Sequence, residues 1–244
     1  MKNKYLEDSM RSFNNWAESY DSGILNPLIF RRIHRQVVRL MGDLSGRRVL
    51  DVGCGTGNLL VKIHEENPSC ALAGLDVSEN MIEIAKRKLA RVPGLELVLG
   101  GVGDAPFEDN SFDNVVSVYS LHHWPRQLRA MGDLYRVLKP GGKLIISDLS
   151  VPFFGGSGTT RILSPKKVHE LFADSGFRNI QQHPSTYSGR YGYLSAAAGV
   201  PLAVFGLATL NPVVCAIATA AIAGGITYSS PNWVSRITTG EKPL

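Results

Sequence analysis

Asp51 and Asp76 stand on either side of a turn in which every second residue is glycine. Residues 49–60 read VLDVGCGTGNLL: an apolar strand, then Gly53, Gly55 and Gly57 alternating with Cys54 and Thr56, then the start of a helix. Glycines at such a turn let the backbone approach a bound molecule closely, and the free N–H groups of the helix start favour a polar group there. The spacing is G-x-G-x-G, not the G-x-G-x-x-G of dinucleotide sites, and Asp51 lies within the strand before it. A carboxylate at that point suits a cationic ligand end better than a pyrophosphate, which favours an amino-acid-bearing nucleoside over a nicotinamide dinucleotide. Nineteen residues beyond Gly57, Asp76 closes the apolar run 71–75, where a carboxylate can accept both hydroxyls of a ribose.

A second group of candidates is Ser120, His122, His123 and Trp124, which follow an apolar run at 115–118. Open α/β sheets place their ligand crevice at the carboxyl ends of strands, so this group faces the same edge as the glycine turn. One histidine could act as a base or orient a substrate hydroxyl, because an unperturbed imidazole titrates at about 6.5. The alternative is that both rings and Trp124 only shape the pocket wall. Tyr119 reads as packed against the sheet.

These residues need a scaffold, and the hydrophobic pattern supplies one. Apolar runs at 48–52, 71–75, 95–99, 115–118 and 144–146 alternate with amphipathic segments, the signature of βαβ units and a parallel sheet. Met81, Ile82, Ala85 and Leu89 share one helix face, as do Leu128, Met131, Leu134 and Leu138. Pro140, Gly141 and Gly142 are read as the stop of the second helix and the turn into the strand 143–148. A further helix at 164–175 opens on Ser-Pro and ends before Gly176. Ahead of the sheet, Leu28, Ile29, Ile33, Val37, Val38, Leu40 and Met41 have helical spacing, and residues 1–44 read as a helical lid.

With these motifs in order, the chain resembles class I S-adenosylmethionine-dependent methyltransferases, nearest to the ubiquinone and menaquinone biosynthesis type and its small-molecule relatives. The resemblance rests on VLDVGCGTG, on GLDVSENMIEIAKRK at 74–88, on PFEDNSFDNVVSVYSLHHW at 106–124 and on RVLKPGGKLIISD at 136–148. It implies a Rossmann-like fold, with a mostly parallel seven-stranded sheet ending in an antiparallel hairpin, and S-adenosylmethionine as cofactor. Residues 53–57, with Asp51, would hold the methionine and ribose parts, Asp76 the ribose hydroxyls, and Val77 and Met81 would flank adenine. The pair Tyr20 and Asp21 in WAESYD would cover the bound donor, which makes Tyr20 a catalytic candidate beside His122 and His123. Relatives usually carry an acidic residue five positions before the Pro-Phe pair, followed by a small residue. Here Gly101 and Val102 occupy those positions, and Asp104 lies two before Pro106. Either Asp104 takes over the adenine contact after a register shift, or loop 100–103 leaves it to backbone amides.

The closing hairpin is expected within 178–195, with Ser188-Gly189 as its turn, so the catalytic core is bounded at 45–199. From Tyr191 to Ser235 there is no charged residue and no histidine. Residues 200–230 then read as an apolar helical C-terminal segment and 231–244 as a polar tail. As one helix, 201–228 would be about 40 Å long against a hydrocarbon thickness of about 30 Å. A kinked span, a re-entrant hairpin bent at Asn211-Pro212, and a buried helix pair at a homodimer interface are the three readings. Membrane association is the leading one, with Tyr228 and Trp233 as interfacial anchors.

The net charge of +5 comes with no basic block interleaved with aromatics, so nucleic acid is not an expected partner. Cys54, Cys70 and Cys215 have no metal-ligand spacing and form no even disulfide set, so no metal is expected and the thiols read as free. Met1 to Arg11 lacks the apolar run of a secretory signal, placing the catalytic part in the cytoplasm, next to a membrane. The expected activity is methyl transfer to a small lipophilic acceptor: a quinone precursor, prenyl compound or lipid. The alternatives are a soluble small-molecule O- or N-methyltransferase that dimerises through its tail, and a non-catalytic S-adenosylmethionine-binding membrane adaptor.

Overall fold

The computed structural model describes residues 11, 13, 14, 17, 20, 21, 25–149, 162–185 and 235–244. Helix α1 (Leu25–Met41) leads into β1 (Arg48–Val52), α2 (Asn58–Glu66), β2 (Ala71–Asp76), α3 (Glu79–Lys88), β3 (Glu96–Leu99) and β4 (Phe112–Val118). After a 3-10 turn at Leu121–His123 come α4 (Gln127–Val137), β5 (Leu138–Leu149), α5 (Pro165–Asp174), β6 (Arg178–Pro184) and β7 (Ser235–Glu241). The strands form one seven-stranded sheet in the order β3-β2-β1-β4-β5-β7-β6. The first five run parallel, and β7 runs antiparallel to both β5 and β6.

The apolar periodicities explain the layers. Strand β1 buries four successive residues after Arg48, as a strand covered on both faces must. One face meets Ile33, Val37 and Met41 of α1, Leu60 and Ile63 of α2, and Ile82 and Ala85 of α3. The other meets Met131 and Leu134 of α4 and Leu171 and Phe172 of α5. Truncating a fully buried side chain such as Ile33 to alanine costs about 2–5 kcal/mol. Local signals hold as well. Ser78 caps α3 by accepting from the Met81 amide at 3.2 Å, and Ser164 caps α5 by accepting from the Lys167 amide at 3.2 Å, with Pro165 in the first turn.

Two features differ from the sequence reading. Helix α4 ends at Val137, and Leu138 already pairs with Phe112, so Pro140, Gly141 and Gly142 lie within an irregular stretch of β5 beyond the helix end. The second difference is larger. The partner of β6 is not within 178–195 but is β7, across from Leu149 at Ser235 and from Lys143 at Glu241. The supposed polar tail is therefore an interior strand of the sheet, with Ile237, Thr238 and Thr239 buried. Its backbone hydrogen bonds to two neighbours satisfy a sequence, SRITTGE, too polar to announce itself as core. The apolar stretch becomes an insertion between β6 and β7. That stretch, including Tyr187, Tyr191, Tyr193, Cys215, Tyr228 and Trp233, lies outside the described residues. Among the described residues no helix is long and apolar enough to cross a membrane.

The chain direction reverses between β1, which leads outward to β2 and β3, and β4, which leads the other way to β5. Ligands of open α/β sheets bind at the carboxyl ends of the strands flanking such a reversal. The glycine turn after β1 and the residues 119–123 after β4 meet there.

Candidate active site

A cleft opens at this point, lined by Gly53 and Gly55 after β1, Asp76, Val77 and Met81 after β2, residues 100–102 after β3, and Tyr119, Ser120, His123 and Trp124 after β4. Phe13 and Tyr20 close it from the N-terminal side. The turn is held open by backbone geometry. Gly53 has φ +73, and a Cβ on it would sit 2.2 Å from the Ser120 Oγ. No other residue type fits without displacing Ser120. The Gly53 and Cys54 amides both donate to the Leu75 carbonyl, at 2.7 and 3.2 Å, tying the β1 turn to the end of β2.

Asp76 is fixed by backbone amides. Gly55 N donates to its Oδ2 at 2.8 Å and Ser78 N to its Oδ1 at 2.9 Å. Burial raises its affinity for a proton, and the amide hydrogen bonds from Ser78, Gly55 and Val77 work against that rise. Asp51 is in a harsher position. It is 2% exposed and receives no hydrogen bond among the described residues. Burial, and then the charge of Asp76, push it up to about 8. A buried carboxylate without a donor calls for a cationic partner. Tyr20 is driven the other way from usefulness as a base: burial, then Asp21, Asp76 and Asp51, push its phenol up to about 12, so it remains a hydrogen-bond donor.

Behind the β4 side of the cleft lies a close polar pair, His122 and Asp148, neither of which lines the cleft itself. His122 Nδ1 lies 2.6 Å from Asp148 Oδ1, the His122 amide donates to Asp148 Oδ2 at 2.9 Å, and the Leu149 amide donates to Oδ1 at 2.7 Å. Donation from Nδ1 to Asp148 leaves the imidazole lone pair on Nε2, the tautomer that can accept a proton. Both side chains are buried. His123 packs on His122 with ring centroids 4.1 Å apart and meets the edge of Phe13 at 4.9 Å. Burial, then the proximity of His122, lower His123 to about 4, so it is neutral at pH 7.

Residues 50–146 match the family model described as a methyltransferase domain. Over those residues the chain is similar to methyltransferase domains. The chain is 38% identical over 151 residues to a demethylmenaquinone methyltransferase of Staphylococcus aureus, a match covering 60% of this chain and 62% of that relative. It thus spans less than two thirds of the length of the curated relatives it matches. Its fold is similar to that of Haemonchus contortus phosphoethanolamine N-methyltransferase 2 in complex with S-adenosyl-L-methionine, with a TM-score of 0.69, 18% identity, and coverage of 95% of this chain and 60% of that one. It is similar also to a SAM-dependent methyltransferase from Aquifex aeolicus, with a TM-score of 0.60, 18% identity, and coverage of 86% and 89%. At those identities the likeness shows the fold.

The methyl donor of such domains is S-adenosylmethionine, and the methyltransferase cleft here fits it. Asp51 offers a buried carboxylate, without a hydrogen bond among the described residues, that an α-ammonium group satisfies. Asp76, anchored by amides on one side, retains lone pairs for ribose hydroxyls. Val77, Met81 and Val102 give an apolar slot for a flat base.

Other residues named from sequence serve the methyltransferase domain from outside the cleft. Cys54 is buried, with its sulfur packed toward Gly74 on β2, and burial, then the charges of Asp76 and Asp51, push its thiol well up. Thr56 Oγ1 donates to Asp21 Oδ1 at 3.0 Å and accepts from Lys88 Nζ at 3.1 Å. Gly57, at φ +80, begins α2 against Leu89. Asp104 is the clear correction. It turns outward to pair with Arg129, and the loop carrying it is held instead by Asp133, whose Oδ2 accepts from the Gly103 and Ala105 amides at 2.9 and 2.8 Å. Asp104 does not line the cleft, whereas Gly101 and Val102 do.

Sequence reasoning missed Asp148 and Phe13. Asp148 lies 26 residues from His122, and only the pairing of β4 with β5 brings them together. The one available signal was an acidic residue at the end of an apolar strand, the same signal that singled out Asp76.

Proposed function

We propose that the protein methylates a small, lipophilic acceptor bearing a ring hydroxyl, of the quinol type, at a membrane surface. The observation that carries the reading is the 2.6 Å contact between His122 and Asp148 beside the cleft. Bound in the cleft, S-adenosylmethionine would supply an electrophilic methyl on sulfur and leave as a neutral thioether. A neutral amine needs little more than alignment with that methyl, whereas a hydroxyl acceptor must lose a proton as the new bond forms. Asp148 holds the His122 tautomer whose Nε2 accepts it. Phe13, Trp124 and His123, neutral at pH 7, form an apolar wall suited to an aromatic acceptor. The demethylmenaquinone methyltransferase relative points to the same acceptor class.

The uncharged stretch between Tyr191 and Ser235 supports the membrane part of the reading. It leaves and re-enters the sheet where Pro184 and Arg236 pair, beside Leu149 at the carboxyl end of β5, the same edge as the cleft. The test is turnover of the full chain with S-adenosylmethionine and a panel of prenylated naphthoquinols, phenols and amines, read as S-adenosylhomocysteine released. Quinol turnover that drops sharply in His122→Asn supports the proposal. Turnover of amines alone, insensitive to that change, overturns it.

A further inference from the structure

Helix α1 carries Arg31, Arg32, Arg35 and Arg39 and no acidic residue. All four arginines are exposed. The opposite face, with Ile33, Val37, Val38 and Met41, is buried in the core, so the exposed residues of α1 between 30 and 41 are its four arginines. On one flank of the arginines runs a cleft of about 710 Å³ between α1, α2 and α3, which adds Lys62 and Lys88 to the basic set against Asp21 and Glu65. The two lysines are neutralised locally: Lys62 lies 3.0 Å from Glu66, and Lys88 lies 2.8 Å from Asp21. Arg31 and Arg35 form no ion pair among the described residues. Arg35 Nε donates to the Arg31 carbonyl at 3.4 Å.

On the other flank, Gln36 Nε2 donates to the Pro184 carbonyl at 2.9 Å, and the Ser185 amide donates to the Ser235 carbonyl at 3.4 Å. These are the two ends between which the uncharged stretch is inserted. One helix therefore presents an arginine face and holds the base of the longest uncharged segment of the chain.

We propose that the arginine face of α1 is a docking surface for an anionic lipid bilayer. The proposal rests on the membrane reading above and adds the lipid class and the residues that recognise it. With its apolar face used by the core, α1 can meet a bilayer only through its charge, and clustered Lys/Arg residues are attracted to anionic lipid. The four arginines are spread from Arg31 to Arg39 along an exposed helix, which suits a plane of phosphates better than a single soluble anion. Attraction between arginines and anionic lipids decays within a Debye length and is marginal by itself, so stable adsorption needs a second, apolar signal at the same place. The uncharged stretch is tethered there.

The experiment is sedimentation of the full chain with vesicles of phosphatidylcholine alone and of phosphatidylcholine with about a third phosphatidylglycerol. It compares wild type with an Arg31→Gln/Arg35→Gln variant whose S-adenosylmethionine affinity verifies its fold. The expected result is preference for the anionic vesicles, suppressed by salt and reduced about 25-fold in the variant, at about fivefold for each of its two arginines. Equal binding of wild type and variant to both vesicle types would sink the role of α1 while leaving membrane association standing. Binding to neither, by a protein that still binds S-adenosylmethionine, would remove both. Protection of α1 by inorganic phosphate with no vesicle binding would reassign the face to a soluble anion and overturn the proposal.

Discussion

The Tyr119 hydroxyl donates to the Ser235 Oγ at 3.1 Å, and Ser235 in turn donates to the Ser185 Oγ at 2.7 Å. A residue of the cleft wall is thereby bonded to the first residue of β7 and, through it, to the chain leaving β6. Ser235 is fully buried, so Ser235→Ala removes two hydrogen bonds shielded from water. A loss of about 1–3 kcal/mol is expected, measurable by urea unfolding as a lower midpoint at unchanged slope.

Gly53→Ala should abolish cofactor binding. The added Cβ meets Ser120 at 2.2 Å, and φ +73 is strained for any side chain. Combining it with Ser120→Gly removes the clash and leaves the strain of about 1–2 kcal/mol, so partial recovery of S-adenosylmethionine binding by calorimetry is the expected outcome. Full loss in the double variant would mean that Ser120 itself holds the ligand.

Asp51 makes cofactor binding depend on pH. Raised to about 8 in the free protein, it is protonated at neutral pH and must ionise to pair with an ammonium group. Binding should therefore release a proton, and affinity should fall by up to about tenfold per pH unit below about 8. Calorimetry in buffers of different ionisation enthalpy reads this directly. The folded carboxyl holds its proton more tightly than the unfolded one, so its stabilising contribution is complete below about 4 and is lost as pH rises through about 8. The thermal midpoint of the ligand-free protein should decline across that window, and Asp51→Asn should flatten the decline while weakening S-adenosylmethionine binding.

Asp148→Asn keeps the shape at His122 but no longer fixes its tautomer. A fall in kcat of about 10²-fold or more on a hydroxyl acceptor is expected, with a changed pH profile and an unaltered S-adenosylmethionine dissociation constant. A parallel loss of cofactor affinity would instead mark Asp148 as purely structural.

Cutting the chain after residue 199 should leave an insoluble product, because it removes β7 from between β5 and β6. Replacing 186–234 with a two-residue Asn-Gly turn should instead give a folded domain, since Ser185 and Ser235 already face each other across the ladder. Circular dichroism and S-adenosylmethionine binding of the two proteins separate these outcomes.

The legible parts of this molecule were those whose signals are local. The glycine turn, Asp76 at the end of the neighbouring strand, and the cap Ser164 all announce themselves within a few residues, and each stands where its pattern implied. What could not be read depends on pairing between distant segments. The sequence SRITTGE has little apolar content, and Thr238 and Thr239 are buried only because the strand is flanked on both sides. The outward turn of Asp104 was hidden for a related reason. Arg129 and Asp133, on α4, decide its direction, and no spacing along the chain records that contact.

The position of β7 also orders events during synthesis. Strands β5 and β6 have no link between them until residues 235–241 emerge, and the whole uncharged stretch emerges first. For that interval the nascent domain exposes two unpaired strand edges, templates for unwanted pairing. A bilayer that captured the uncharged stretch as it appeared would hold the growing chain apart from its neighbours until the last interior strand arrived, so the insertion would act as a tether before the enzyme exists as a folded object.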